Sequence, residues 1–291
     1  MRADLATKTA DTSVRRRSKL LAAAPFAARV AAVIVLIYLL VALFAPLLAP
    51  FGEGEVVSEI PYAPPGGAFL LGTDQLGRDQ FSRLIYGARN SMGIALATTA
   101  ISFTLGSLFG IIAATRRGWV DQAISRFVDV IMAIPQLIFA LILLSIAGSS
   151  IPNLIIIIAL LDSTRVFRVA RSVAMNVVAM DFIEAARLRG EGLVWIIRRE
   201  ILPNILPTLV AEFGLRFCFA FLTISALSFL GLGIQPPTAD WGSMVREASP
   251  LIAYGKMSLF IPAVAIAVLT ISVNLLVDWF LDKASGLRNE R

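Results

Sequence analysis

The sequence predicts an all-α integral membrane protein with six transmembrane helices and both termini cytoplasmic. Three observations lead there. Of 291 residues, 57% are hydrophobic and only 16% charged, far from the balance of a soluble domain. Uncharged runs span 30–48, 91–115, 130–161, 217–239 and 257–277, and about 20 apolar residues carry a helix across the hydrocarbon layer. Lysine and arginine gather on alternate sides of these runs. A membrane barrel would instead show short segments alternating apolar and polar. Lipid offers no hydrogen-bond partner to an open backbone, so each crossing is helical.

The elements follow in order. Residues 1–28 form a cytoplasmic tail and 29–50 the first transmembrane helix. The stretch "SVRRRSKLLAAAPFAARVAAVIVLIYLL" looks somewhat like a secretory signal. Its apolar part is too long for a cleaved signal, and no small-residue cleavage site follows cleanly, so it reads as an uncleaved membrane helix. Residues 51–90 form an outer-side loop. Residues 91–282 hold five more helices. The run from Val130 is too long for one crossing and contains Gly148-Ser149-Ser150-Ile151-Pro152-Asn153, a string of turn residues. It reads as a hairpin of two helices, the second continuing through Asp162 towards Arg171. A charged cytoplasmic loop covers 172–204. Pro203 and Pro207 allow a bend into the fifth helix. The sixth covers 257–277, and 283–291 form a cytoplasmic tail.

The basic residues orient the chain. On the side of the termini, Lys and Arg number seven in 1–29, three in 116–126, seven in 165–199 and three in 283–291. The opposite side has three in 51–89 and two in 246–256. Positive charge marks the cytoplasm. This bias also accounts for the net charge of +6, which therefore gives no reason to expect nucleic acid.

Missing chemistry narrows the function. There is no histidine, and the one cysteine, Cys218, lies in an apolar run. Metal sites built on His or Cys clusters, Ser/His/Asp triads and disulfides are excluded or nearly so. No G-x-x-x-x-G-K-[ST] phosphate loop exists, so no nucleotide is hydrolysed by that route.

The segment "EAARLRGEGLVWIIRREILPNILP", Glu184 to Pro207, is charged where its surroundings are apolar. Asp181 and Glu184 have the spacing of a capping box. Phe182, Ala185, Ala186 and Arg189 recur at helical spacing, and the two alanines leave room for a close-packed surface. Gly190 and Gly192 permit a sharp turn. Physics alone leaves two readings open, a helix lying flat on lipid or a docking element. Two charged pairs fall at membrane depth, Asp162 with Arg165 and Glu212 with Arg216. Both spacings allow pairing on one helix face, either snorkelling to the boundary or lining a pathway. Asn274 is a weaker candidate of the same kind.

Glu184-Ala185-Ala186, three residues, Gly190, nine residues, then Leu202-Pro203 after two more resembles the EAA signature of ABC importer permeases. Glu200 stands where the family usually has Ile. "LGTDQLGRDQFSRLIYGARNSMGIAL", Leu71 to Leu96, resembles the outer segment of the dipeptide/oligopeptide-type permeases, specifically the C-type partner. There Gly72, Gly77 and Gly87 permit turns, Asp74 and Asp79 can cap helices, and Thr73, Arg78, Ser82 and Arg83 complete the motif. "LSFLGLGIQPPTADWGSMV", Leu227 to Val245, is also similar to the family. The end departs from it at Val277-Asp278 and at Leu281 to Ser285.

The resemblance implies a type I ABC importer permease fold. It implies a second, unlike permease subunit, two ABC ATPase subunits that bind ATP and Mg, and an extracytoplasmic binding protein. This chain would bind no cofactor, and the protein would lie in the bacterial inner membrane. Asp181, Glu184, Ala185, Ala186, Gly190, Leu202 and Pro203 would dock the ATPase. Asp162, Arg165, Glu212, Arg216 and Asn274 would line the pathway. The cargo implied is a peptide, with nickel, glutathione or oligosaccharide as alternatives. A stand-alone channel or secondary transporter would favour more helices and internal repeats, and a membrane enzyme fails on its missing catalytic residues.

Overall fold

The computed structural model describes residues 25–67, 69–254 and 258–289. Among them every regular element is helical, apart from three isolated β-bridges in the loops. Helix α1 spans Phe26–Leu43 and the short α2 Ala45–Leu48. Loop 49–79 leads to α3, Gln80–Arg116. Then come α4 (Gly118–Met132), α5 (Gln136–Ala147), α6 (Ile151–Val178) and α7 (Asp181–Leu188). Helix α8 (Leu193–Ile196) passes through a π-helical turn, Ile197–Ile201, into α9 (Leu202–Phe229). Helix α10 (Trp241–Ala248), a 3₁₀ turn (Ser249–Tyr254) and α11 (Phe260–Asn289) end the described chain.

Four stretches are long and apolar enough to cross a membrane: α1, α3, Leu193–Phe229 and the Phe260–Lys283 part of α11. A fifth is counted if α4 and α5 form one bent span. This is a multi-pass helical membrane protein. The first helix of the hairpin expected from Val130 is itself broken. The chain breaks at 133–135 and turns by 84° between α4 and α5. Pro135 disfavours helix at the residue before it and supplies no N–H of its own. Helix α5 alone, with 12 residues, reaches only about 18 Å. The turn after it falls as expected. Gly148 has φ +84°, and Ser150 caps α6 by accepting from the Asn153 N–H.

The bend expected at Pro203 and Pro207 is also replaced. Pro203 sits in the first turn of α9 and Pro207 inside it. A proline cannot donate to the carbonyl four residues back and crowds it. The chain widens just before Pro203, where Leu202 N–H reaches back to Ile197 O. The Asn204 side chain donates to Glu200 O at 2.6 Å.

Helices α3 and α6 lie side by side in parallel. Small residues allow it: a Cβ added at Gly106 would lie 2.5 Å from Ser163 O, and one at Gly110 would lie 2.8 Å from Phe167 O. Helix α9 packs on both, with the Phe103 and Phe213 rings edge to face at 5.3 Å. One buried cluster gathers Leu154, Phe221, Leu227 and Trp241 under loops 49–79 and 230–240, here termed the loop layer. A second gathers Ile111, Ala174, Ile183, Ala186 and Ile201 near the C-terminal end of α3. The 37 residues of α3 separate these ends by about 55 Å.

Candidate functional site

The segment at the far end from the loop layer is a helical hairpin. Helix α7 has Met180 as its N-cap, with no side-chain cap bond. The expected capping box is therefore absent. Asp181 and Glu184 instead occupy the first turn, where carboxylates favour the positive end of the helix dipole. The helix ends in a Schellman motif: Glu191 N–H donates to Ala186 O at 3.1 Å and Gly190 N–H to Arg187 O at 2.9 Å. Gly190 has φ +81°, a conformation that costs other L-residues about 1–2 kcal/mol.

The inner and outer faces of α7 correct one expectation. Ile183 and Ala186 are fully buried against Ala170, Ala174, Ile196 and Ile205. Ala186 is thus a packing residue, not part of an outward face. Ala185 is exposed with Glu184, and Leu188 is 84% exposed. Phe182, Arg189 and Val194 flank them, also exposed. Leu202 and Pro203 are exposed at the start of α9, while Ile201, Ile205 and Leu209 point inward.

The loop layer holds a network of charges. Arg78 pairs with Asp74 at 2.6 Å, and Arg83 with Asp74 at 3.4 Å. Both arginines also reach Glu247 on α10, at 3.4 and 3.3 Å. Two cations between two acids satisfy the burial rule for charges. Asp79 caps α3 by accepting from Ser82 N–H and Oγ–H. Asp74 caps no helix. Its Oδ1 accepts from the Leu76 and Arg78 N–H groups. Thr73 Oγ1 accepts from Ala63 N–H at 2.8 Å. Gly72 and Gly77 have φ +76° and +74°, and a Cβ there would collide with the carbonyls of Ala63 and Ser58. Gly87 makes no turn. It lies within α3, where an added Cβ would meet the Trp241 ring at 2.5 Å.

Midway between the ends lies a buried triad. Arg216 Nε is 2.8 Å from Glu212 Oε1, and its Nη1 is 3.5 Å from Asp162 Oδ1. Ser102 Oγ donates to Asp162 Oδ2 at 3.4 Å, and the Phe219 ring centre lies 4.7 Å from the guanidinium carbon. All three charged residues are at most 9% exposed. The expected Asp162–Arg165 pair is absent among the described residues, because Arg216 of α9 takes that carboxylate. The Glu212–Arg216 pair forms as the spacing indicated. Asn274 is half-buried on α11.

Residues 106–285 match the family model described as binding-protein-dependent transport system inner membrane component. The chain belongs to this family. It is a transport permease and not an enzyme, and ATP hydrolysis rests with separate subunits. The permease is 36% identical to a di/tripeptide transport system permease protein of Pseudomonas aeruginosa, over 83% of this chain and 82% of that one. It is 34% identical to a glutathione transport system permease protein of Pectobacterium atrosepticum, over 75% and 72%. In structure it is similar to the MetNI methionine ABC transporter in an inward-facing form. There the TM-score is 0.57 and the identity 17%, over 67% of this chain and 93% of that one. An amino acid ABC transporter with histidines gives 0.51 and 20%, over 70% and 94%. These likenesses show the fold, a type I ABC importer permease fold.

Several residues of the permease's loop layer carried little signal in the sequence. Glu247 completes the arginine network, and Glu53 accepts from Asn90 Nδ2 and Ala239 N–H at 2.7 and 2.8 Å. Neither has a local partner at helical spacing. Asp240 caps α10 through Ser243 N–H and accepts from Ser91 Oγ. Burial raises the Asp240 carboxyl above its usual range, and the hydrogen bonds from Ser243 and Ser91 oppose that shift.

Proposed function

We propose that this permease forms half of the translocation pathway of an importer for peptides, delivered by an extracytoplasmic binding protein. The observation that carries this reading is the α7 hairpin. Ala185 and Leu188 of α7, with Val194 of α8, stand exposed on a hairpin whose other face is locked into the bundle. Such a face suits a protein groove. The hairpin is the docking element for one of two ATPases, which carry the ATP and Mg. This chain binds no cofactor.

A six-crossing topology is supported by the parallel run of α3 and α6, since the chain must return between them through α4 and α5. With the cytoplasmic side set by the lysine and arginine bias, the termini and hairpin lie in the cytoplasm and the loop layer outside the inner membrane. The second permease subunit is an unlike chain of the same fold. ATP binding draws the two docking hairpins together and shifts the population towards an outward-open state, and hydrolysis reverses it. Peptide cargo is favoured by the similarity to the di/tripeptide and glutathione permeases. The test is uptake of a labelled dipeptide by cells expressing the full transporter. Uptake should vanish without the ATPase or the binding protein. Uptake that persists without the ATPase would identify a stand-alone transporter instead.

A further inference from the structure

The break between α4 and α5 leaves a polar cavity against α6. It measures about 100 Å³ and is lined by Met132, Pro135, Gln136, Leu161, Thr164 and Arg165, among others. A single water requires only roughly 10–15 Å³ on this scale. Arg165 is half-buried and forms no salt bridge among the described residues, although it lies near enough to Asp162 to attract it electrostatically. The acid one turn earlier, Asp162, is held by Arg216 and Ser102. A guanidinium with no carboxylate in salt-bridge contact keeps its planar N–H donors free for a further anion. Gln136 adds a side-chain donor to the same wall, and no side chain caps the first turn of α5 behind it.

We propose that this cavity is a carboxylate-binding station on the translocation pathway, with Arg165 as the anion's partner. The inference rests on the peptide reading above and adds to it the group recognised, the C-terminal carboxylate of the cargo. A planar guanidinium matches a carboxylate through two parallel hydrogen bonds. The Gln136 amide supplies a further donor. The other lining residues named above are apolar apart from Thr164, whose hydroxyl is already committed to Leu161 O. The cavity therefore holds the charged end of a ligand and does not satisfy a length of peptide backbone.

The test uses the assembled transporter in lipid nanodiscs without its binding protein. Phenylglyoxal modification of Arg165 is followed by mass spectrometry with dialanine, amidated dialanine or propionate present. Free dialanine should protect Arg165 about tenfold better than the amide, the scale of one charge-assisted pair. Propionate should protect at higher concentration, and exposed Arg168 should react alike in every case. Equal protection by acid and amide, or none by dialanine and propionate, would overturn the proposal. Protection by propionate in a transporter that imports no dipeptide would keep the carboxylate site and sink the peptide reading.

Discussion

Arg216 bridges two carboxylates, Glu212 on its own helix and Asp162 on α6. Its loss leaves two buried acids without a partner. Arg216→Gln should therefore cost about 3–5 kcal/mol, the usual penalty for an orphaned buried charge. Glu212→Gln should cost much less, because Asp162 and Arg216 remain a one-to-one pair. Thermal unfolding of the purified complex ranks the two, and equal losses would show that the triad does not share its charge. Half of this arrangement was legible in the sequence. Glu212 and Arg216 stand four apart on one helix, and that spacing brings them together. Asp162 had Arg165 at an equally good spacing, yet its partner is 54 residues away. Only the packing of α6 against α9 decides between them, and local periodicity carries no information about it.

The hairpin depends on which side of α7 each alanine occupies. Adjacent residues on a helix differ by about 100°, and here the edge of the buried face falls between them, with Ala185 exposed and Ala186 buried. The Glu-Ala-Ala spacing marked the element, but the inward direction is set by Ile183, which is buried beside Ala186. Ala186→Trp should thus overpack the core and lower membrane abundance, typically by 1–3 kcal/mol or more of stability. Ala185→Trp should leave abundance unchanged. Immunoblots of membrane fractions separate the two, and equal abundance would contradict the assigned faces. Gly190→Ala should cost about 1–2 kcal/mol through its positive φ alone, because nothing lies within 4 Å of the added Cβ. Hydrogen exchange at the end of α7 reads that loss, and unchanged protection would remove the Schellman motif from the account. The glycine pair preceding α8 was visible as a turn in the sequence. The break at Pro135 is masked in the sequence by the uncharged run that contains it.

At the scale of the molecule, α3 sets the distance between the loop layer and the hairpin. The proposed topology places them on opposite sides of the membrane. Cys218 is buried and is the chain's one cysteine, so an introduced thiol reports alone. Leu76→Cys in the loop layer should react with an impermeant maleimide in intact cells. Leu188→Cys should react only after permeabilisation, and labelling of both in intact cells would refute the six-crossing account. The central claim is that α7 is gripped by an ATPase, and ATPase recovery with purified permease carrying Ala185→Trp tests it most directly. A bulky ring on the docking face should lower recovery about tenfold or more, the effect of losing one interface anchor, at normal membrane abundance. Full ATPase recovery with that variant would contradict the claim.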